Sequence, residues 1–536
     1  MNSHKSFAGT WILMKFMMRR DRIQIPLWIF GLTLTIFATL VSFEEMYPGE
    51  EDRQGIAVTM ANPASIALTG PKLYLEDYTI GAMMSHQMLG MAGIVVALMS
   101  VFLIVRHTRK EEETGRAELV RASVIGRHAI VTAAFIWAIS VNLGLALIVA
   151  LGLGAVGVES VTWEGSFLFG AGLASVGLSF SALALLFAQL MEHARAASGL
   201  GAGAIAVAFS MRAIGDLGDE TLSWLSPIGW AQQTSAYVDN LWWPLILCLV
   251  FTTILVLIAF PLSATRDVGA GLIRPRRGRA EASAMLNGPL GLAFRLQRMN
   301  LLIWGFAMLL FGMSYGAFIG EAEEMFGSIG DSLDGMLPSR DGGVLADSFA
   351  AMFMTVAAMI GSIPALQSIL KLKSEENAGR IDPLLSNVVS RTRLLGSYLI
   401  VALLSSLFLM LMAGVGMGIT GSQSMEDSSY LGTLTIAGLS FTPALWVTIG
   451  LAVSIYGYFP RKASFSWAMV GFAFFVVYLG GVLQLPEWVL NLSPFTHVPR
   501  VPAEDFVWTP ILGLTATALV FILAGWYGYR SRDISN

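Results

Sequence analysis

The sequence predicts an all-α integral membrane protein, built as two parallel-repeated halves of six transmembrane helices each, with both termini in the cytoplasm. Three observations predict this class: the composition, the recurrence of apolar runs of bilayer length, and the sorting of basic residues between alternate loops. Of the 536 residues, 55% are hydrophobic and 13% are charged, whereas a typical soluble domain has about 25% charged residues. Such a chain has too little polar surface to cover a water-soluble fold of this size.

Apolar runs long enough to cross a bilayer recur along the whole chain and predict about twelve transmembrane helices. A helix needs about 20 apolar residues to span the hydrocarbon core. The runs of the first half fall near 25–43, 82–105, 129–157, 165–190, 196–215 and 243–264. The runs of the second half fall near 300–320, 345–370, 393–419, 431–457, 465–484 and 508–529.

The basic residues indicate the orientation. With the N-terminus inside, 28 of the 33 lysines and arginines fall on segments that the spans place in the cytoplasm. Loops that remain inside the cell carry this bias, so both termini are predicted to be cytoplasmic. The predicted outer loops are acidic instead, most clearly in residues 44–77 and 321–347. These acids are either solvated loop surface or a site that recruits cations.

The two halves are predicted to be similar to each other. The domains are a first six-span half (1–264), a basic cytoplasmic linker with an amphipathic entry segment (265–299), and a second six-span half (300–536). A basic amphipathic stretch that ends in a tryptophan, Trp28 or Trp304, precedes the first span of each half. Such a segment is expected to lie along the inner interface before the chain enters the bilayer.

Two further features repeat in the same order. After the second span of each half comes a segment with glutamates, a glycine, an arginine and a further acid; we name these the first and second Glu-Gly-Arg loops (residues 112–118 and 375–382). Their glycines, Gly115 and Gly379, are 264 residues apart. A Leu-Ser-Pro tripeptide before the last span of each half recurs at an offset of 267. Because each half has an even number of spans, this is a parallel repeat.

Each Glu-Gly-Arg loop is predicted to be a short helical segment broken by its glycine. Glutamate and arginine lie four residues apart in both, Glu112 with Arg116 and Glu376 with Arg380, which is the spacing of a helical ion pair. Two interpretations fit this pattern. The segment is a solvated loop stabilised by such pairs, or it is a docking element for a cytoplasmic motor, present twice because the motor is a dimer.

The chain resembles the membrane subunits of ABC-2-type exporters, in particular the duplicated permeases of the polyketide antibiotic (tetronasin-like) exporter family. The resemblance covers nearly the whole chain and rests on the six-span halves, the entry segments, the Glu-Gly-Arg loops and the Leu-Ser-Pro tripeptides. It implies two ABC-2-type halves in which each loop contacts an ATPase as a coupling element. The implied coupling residues are Glu112, Glu113, Gly115, Arg116, Glu118, Glu375, Glu376, Gly379, Arg380 and Asp382.

The second loop departs from the first in two ways. It is predicted to have one extra residue between its glutamates and its glycine, and Pro383 follows Asp382. We therefore expect the two docking sites to be similar but not equivalent.

The ATPase is expected to be a separate chain. The sequence contains no G-x-x-x-x-G-K-[ST] loop, the segment with which P-loop ATPases cradle phosphates. By the resemblance, two copies of an ABC ATPase bind this chain and hold the ATP and Mg²⁺. This chain is then a transport subunit of the cell membrane and not an enzyme, with no cofactor or metal of its own. Its other expected partners are membrane lipid and a hydrophobic small molecule such as an antibiotic, and not nucleic acid.

The Leu-Ser-Pro segments and a group of methionines are candidates for the transport pathway. The resemblance suggests short outer helices that dip back into the bilayer and cap the pathway; the alternative is an ordinary interfacial loop with aromatic anchors. The residues concerned are Ser226, Pro227, Trp230, Ser493 and Pro494. Methionines on the second span of each half, such as Met88 and Met91, suit a pathway for bulky amphiphiles, or they pack against neighbours and lipid.

A proton-coupled secondary multidrug carrier with twelve spans is the alternative function. It needs charged residues inside the membrane to couple proton and substrate movement, and the spans show no evident chain of such residues. A membrane-embedded enzyme is a further alternative, but the six scattered histidines and the single cysteine, Cys248, provide no ligand cluster or nucleophile beside a base.

Overall fold

The fold is helical throughout the part of the chain that the computed structural model describes. The described residues are 6–116, 118, 125–266, 269–273, 281–283, 286, 288–320, 342–386, 389–479 and 486–532. These ranges contain helices, turns and loops and no β-strand. The chain divides into two compact units, Met1–Gly278 and Arg279–Asn536. The basic linker residues 274–280 and the acidic segment 321–341 lie outside the described residues.

Eleven helices of the described ranges are long and apolar enough to cross a membrane, and they coincide with eleven of the twelve predicted runs. The first unit contains Gln24–Met46, Ile80–Glu113, Ala129–Ala155, Trp163–Leu190, Ala194–Leu217 and Pro244–Thr265. The second unit contains Pro289–Ala317, Ala346–Asn377, Arg391–Ser424, Ser429–Tyr458 and Trp508–Ser531. The twelfth run, 465–484, corresponds to the helix Ser466–Leu479, and the end of that run lies outside the described residues.

Shorter helices join these spans. In the first unit they are Thr10–Asp21, Glu50–Met60, Pro63–Thr69, Lys72–Tyr74, Ser223–Leu225 and Pro227–Gln232. In the second unit they are Asp382–Leu385, Pro460–Phe465, Glu487–Leu490 and Pro494–His497. Several of them begin with a proline in the first turn, where the missing N–H has no helical partner to lose.

The second span of the first unit is not a uniform α-helix. It contains a π-helical turn, Ser85–Leu89, and its last turn is the separate helix Arg109–Glu113, which follows a break at Thr108. π-helical turns are rare and often lie at functional sites. This span therefore has an irregularity at each end, next to the two polar clusters described below.

Small residues allow the central helices of each unit to approach closely. In the first unit the fourth span, Trp163–Leu190, packs against the second, third, fifth and sixth spans. In the second unit Pro289–Ala317 packs along Arg391–Ser424, and a Cβ placed on Gly312 would lie 2.2 Å from the carbonyl oxygen of Ala413. Small residues at such contacts are the usual basis of helix packing in lipid.

The entry segments differ between the units. In the first unit Thr10–Asp21 is a separate helix, and the first span starts anew at Gln24. That helix buries Leu13, Met14 and Met17 and exposes Trp11, Ile12 and Phe16. In the second unit, entry segment and span form one continuous helix, Pro289–Ala317.

Candidate functional site

Both Glu-Gly-Arg loops begin where a helix ends. In the first unit the helix Arg109–Glu113 ends before Gly115, whose φ is +73°. In the second unit the helix Gly342–Asn377 ends before Gly379, whose φ is +65°. This left-handed conformation favours glycine, the usual residue just past a helix C-terminus. The break predicted at each glycine is therefore confirmed, but the short helical segment predicted for the second loop is wrong, because that loop follows the 36-residue helix Gly342–Asn377.

The arginine of each loop turns back over the end of its own helix. In the second unit the N–H of Arg380 donates to the carbonyl oxygen of Glu375 at 3.1 Å, and Arg380 Nη1 lies 3.0 Å from Glu375 Oε2. In the first unit Arg116 Nη1 lies 4.0 Å from Glu111 Oε1. The two loops thus share one local design, in which an ion pair links the residue after the glycine to the last helical turn.

The ion pairs predicted between Glu112 and Arg116 and between Glu376 and Arg380 are wrong. Each arginine instead contacts the glutamate five residues before it. The physical reason is the left-handed glycine: beyond it the chain no longer follows the helix, so the four-residue spacing of a helical pair does not apply.

The extra residue predicted between the glutamates and the glycine of the second loop is also wrong, because the two loops align without it. Glu111 and Glu375 each pair with the loop arginine, whereas Glu112 and Glu376 each pair with an arginine at the end of the last span. At an offset of 264 both copies therefore read Glu-Glu-x-x-Gly-Arg. Pro383 remains as a difference between the loops.

Glu112 is buried between two arginines of the first unit. Arg266, the C-cap residue of the last span, donates from Nη1 and Nη2 to Glu112 Oε2 and Oε1 at 2.6 and 2.5 Å. Arg109 Nη1 donates to Glu112 Oε2 at 2.7 Å. The side chains of Arg266 and Glu112 are only 6% and 4% exposed. A two-point contact of this kind fixes the relative orientation of the two side chains as well as their distance.

The two arginines beside Glu112 also bind other segments of the first unit. Arg109 donates to the carbonyl oxygens of Glu192 at 2.6 Å and of Gly269 at 2.5 Å. Arg266 Nε donates to Gln189 Oε1 at 2.8 Å. The end of the second span is therefore tied to the end of the fourth span and to the segment that follows the last span.

Glu376 has the same kind of partner in the second unit. Arg532, the C-cap residue of the last span, donates from Nη2 to Glu376 Oε2 and Oε1 at 2.7 and 2.9 Å. The hydroxyl of Tyr456 donates to the same carboxylate. The guanidinium of Arg532 lies 4.5 and 4.7 Å from the ring centroids of Tyr456 and Tyr529, within the range of cation–π attraction.

Arg266 and Arg532 are absent from the site that the sequence predicted. They lie 154 and 156 residues from the glutamates they bind, so no local pattern links them to the loops. A signal for them does exist. Each follows a Thr or Ser and precedes an Asp at the end of the last span, and the two are 266 residues apart, close to the offset of the loops.

The remaining predicted coupling residues lie around these clusters. Glu113 Oε2 accepts from the N–H of Ala194 at 3.1 Å, at the start of the fifth span, and Glu113 Oε1 lies 3.4 Å from His193 Nδ1. A carboxylate is favourable at the positive end of a helix. Glu118 and Asp382 are exposed, so they are free of the buried network.

Asp21, at the end of the entry helix, connects that helix to the second and third spans of the first unit. Its carboxylate lies 2.5 Å from His107 Nε2 and 3.1 Å from Arg106 Nη1, and it accepts from Trp137 Nε1 at 3.0 Å. Burial alone would raise the pKa of Asp21, but the hydrogen bond and charge of His107, with Trp137 and Arg106, outweigh it and hold that pKa below its usual 3.8. Arg20, the neighbour of Asp21, pairs with Glu111.

Each Leu-Ser-Pro tripeptide leads into a short helix that begins at its proline, and the proposed re-entry of these helices into the bilayer stays a prediction. Ser226 caps Pro227–Gln232, since its Oγ accepts from the N–H groups of Ile228 and Gly229 at 3.2 and 3.4 Å. Trp230 Nε1 donates to the carbonyl oxygen of Trp224 at 2.6 Å. In the second unit Ser493 precedes the short helix Pro494–His497, and both Ser493 and Pro494 are buried.

A second polar cluster lies at the opposite end of the second span from the loop. His86, in the π-helical turn, contacts the hydroxyl of Tyr78 at 2.8 Å and that of Thr69 at 3.1 Å. The cluster also includes a buried ion pair of the fifth span, Arg212 with Asp216 at 3.3 Å, because Arg212 donates to carbonyl oxygens of the segment that ends at Thr69. The sequence predicted neither this cluster nor its ion pair.

A cavity of about 450 Å³ lies between the first and second spans of the first unit. Its volume falls in the range of small-molecule sites. Most of its lining is apolar, with Trp28 and the predicted pathway methionines Met88 and Met91 on its wall. The full lining is Gln24, Leu27, Trp28, Gly31, Leu32, Thr35, Ile36, Met88, Met91, Ala92 and Val95.

Comparison with known proteins relates the chain to drug efflux. The family model described as "Multidrug efflux system permease Rv1217c, C-terminal domain" matches residues 14–261 and 286–530. The chain is also 36% identical to the multidrug efflux system permease protein Rv1217c of Mycobacterium tuberculosis (strain ATCC 25618 / H37Rv), over 98% of this chain and 96% of that protein.

Proposed function

We propose, from the premise that the chain belongs to the family of multidrug efflux system permeases represented by Rv1217c, that it is the permease subunit of an ATP-driven exporter of the ABC-2, tetronasin-like type. In this function it spans the cytoplasmic membrane with both termini inside and moves a hydrophobic or amphiphilic compound, such as an antibiotic, out of the cell. A separate ATPase dimer holds the ATP and Mg²⁺ and docks on the two Glu-Gly-Arg loops.

The observation that carries this proposal is the common construction of the two loops. In each loop a largely buried glutamate pairs with an arginine of the last span, the chain turns at a left-handed glycine, and the loop arginine is exposed to solvent. The side chains of Arg116 and Arg380 are 61% and 64% exposed. An exposed cation on a rigid base suits recognition by an acidic partner surface, and two such bases in one chain suit a partner that is itself a dimer.

The proposed duplication has support from two directions. The two ranges matched by the family model fall one in each compact unit. The ion pairs of the two loops also repeat at offsets of 264 and 266 residues. A parallel repeat of this kind is a common architecture of transporters.

The cavity between the first and second spans is the place in the first unit where we propose that the transported compound binds. Its wall combines an aromatic ring with flexible methionines, a lining that can adapt to ligands of different shape. The polar atoms of Gln24 and Thr35 on the same wall would orient a ligand that carries one or two polar groups.

The proton-coupled carrier remains the second candidate, because the fifth span contains two buried charged residues. Arg212 and Asp216 are both buried in the fifth span, next to the cluster of His86. Ionisable residues within spans often mark proton or ion pathways. Each charge here has a partner, however, and a paired arrangement also serves simply to join helices.

The experiment that separates the two functions is transport of ethidium into inside-out vesicles that contain this chain and an ABC ATPase that copurifies with it. An ATP-driven exporter accumulates ethidium with ATP in the presence of a protonophore, and loses this activity when the ATPase cannot hydrolyse ATP. Accumulation that follows an imposed proton gradient and needs no ATPase would establish the carrier instead.

A further inference from the structure

We propose that Arg266 and Arg532 are positioning residues that lock each Glu-Gly-Arg loop to the last span of its unit, so that loop and span move together. The inference rests on the proposed function, because it assigns the path by which an ATPase on the loop moves the permease. It concerns two residues outside the loops, each far from its glutamate in the sequence. We call the two contacts, Glu112 with Arg266 and Glu376 with Arg532, the first and second locks.

The geometry of the first lock restricts relative motion. Both nitrogens at the end of Arg266 bind the two oxygens of Glu112, at 2.5 and 2.6 Å. Glu112 lies on the last helical turn of the second span, and Arg266 is the C-cap residue of the last span. A two-point contact resists both sliding and rotation, so a displacement of the loop is transmitted to the end of the last span.

The second lock joins the same elements with different supporting groups. Arg532 binds both oxygens of Glu376 through one nitrogen, Nη2, and lies against the rings of Tyr456 and Tyr529, which hold its guanidinium in place. In the first unit the supporting group is the second cation, Arg109. The Glu–Arg contact is thus common to the two units while its surroundings have diverged, which indicates that the contact itself is the feature retained.

Stability alone is a poor explanation for these contacts. Moving two charges out of water costs about as much free energy as their mutual attraction returns. Well-packed apolar residues therefore often stabilise a fold equally well. A buried Glu–Arg pair does specify which two elements meet and in which register. The presence of one pair at matched positions in both units therefore favours a positioning role.

The test uses the purified complex of the full chain with its ATPase, reconstituted in vesicles, and measures ethidium transported per ATP hydrolysed. We expect Arg266→Gln and Arg532→Gln each to lower this ratio about tenfold, the size of a typical coupling between sites, while the ATPase still copurifies. The conservative Arg266→Lys keeps the charge but loses the two-point contact, so we expect only partial recovery. The charge exchange Glu112→Arg with Arg266→Glu should recover more of the ratio than either single change.

Controls come from exposed cations beside each lock. Lys110→Gln changes a charge on the same short helix as Glu112, and Arg530→Gln changes a charge two residues before Arg532; both side chains are exposed. Both controls should keep the wild-type ratio. If the ratio of ethidium transported to ATP hydrolysed stays unchanged in the lock variants, whether both rates are unaltered or fall in proportion, the positioning role is wrong and the proposed function still stands. Absence of ATP-driven transport by the wild-type complex would overturn the proposed function and this inference with it.

Discussion

Gly379 shows how one residue determines the shape of a loop. Its φ of +65° turns the chain away from the helix, and the atom nearest to an added Cβ is 3.6 Å away, so a side chain would meet backbone strain rather than a steric clash. We expect Gly379→Ala to lower the free energy of unfolding by about 1 kcal/mol, measured by thermal unfolding in detergent. In Gly432→Ala, the control, the added Cβ meets open space within a regular helix, and we expect a neutral or slightly stabilising effect. Equal losses in both variants would contradict this.

Asp21 gives a prediction about pH. Its folded pKa is held below 3.8 by His107, Trp137 and Arg106 despite burial. A depressed carboxyl pKa contributes stability above the unfolded pKa, and that contribution is lost as the pH falls through the folded value. We expect Asp21→Asn to lower stability by about 1–3 kcal/mol near neutral pH, and the gap to the wild type to shrink below about pH 4.

The measurement is chemical unfolding in detergent at several pH values. Glu487, an exposed carboxylate in the first turn of a short helix, provides the control variant Glu487→Gln. A gap between wild type and Asp21→Asn that is the same at every pH would show that the carboxylate contributes by shape and hydrogen bonding alone.

Residue-level prediction from sequence succeeded where the cause is local. The glycines at the helix ends were found because turn chemistry depends on a few neighbouring residues. The partners of Glu112 and Glu376 were misassigned because a helical spacing was extended past those glycines. Arg266 and Arg532 were missed because their contacts depend on how spans pack, which one sequence does not reveal.

At the scale of helices, eleven of the twelve apolar runs that predicted a span coincide with a helix long and apolar enough to cross a membrane. Hydropathy reports burial in lipid, so it says little about breaks within a span. The π-helical turn Ser85–Leu89 lies inside the predicted run 82–105, and its polar residues do not by themselves indicate a change of helix type. The break at Thr108 lies beyond the end of that run, among charged residues, where hydropathy gives no information about the helix. The sequence also did not predict that the entry segment is a separate helix in the first unit and continuous with the span in the second. A basic amphipathic stretch has the same sequence pattern in both cases.

The cavity between the first two spans gives a prediction about substrate binding. Gly31 lies on its wall, and an added Cβ would meet no other atom within 4 Å, so Gly31→Leu narrows the cavity without a clash at its base. We expect the apparent KM for ethidium to rise by about tenfold or more, because the added isobutyl group occupies space in which the ligand binds, with little change in stability.

Gly144 provides the matched control for this substitution. It lies in the third span, an added Cβ there also meets open space, and it is not part of the cavity wall. Gly144→Leu should therefore leave the apparent KM unchanged. Equal effects of the two leucines would show that the change acts through the bilayer or the fold and would remove the cavity from the proposed pathway.

For the whole molecule, the two loops have one design but unequal surroundings. Glu111 pairs with Arg20 of the entry helix as well as with Arg116, at the longer distance of 4.0 Å. Glu375 pairs with Arg380 at 3.0 Å and with Lys371 of its own helix at 2.8 Å. Arg380 is therefore held more firmly than Arg116, because Glu111 also pairs with Arg20 of the entry helix.

This inequality predicts different costs for the same substitution in the two loops. Charge reversal, Arg116→Glu or Arg380→Glu, should weaken copurification of the ATPase in either case, because both arginines are exposed for contact. Only Arg380→Glu breaks a close ion pair, and since its side chain is largely exposed we expect a loss of at most about 1 kcal/mol in unfolding free energy. Arg116→Glu should leave stability near the wild-type value, because Arg20 still pairs with Glu111. Thermal unfolding of the permease alone and copurification of the complex measure the two effects separately. ATP-dependent export that persists unchanged in the double variant would show that the loops do not receive the motor.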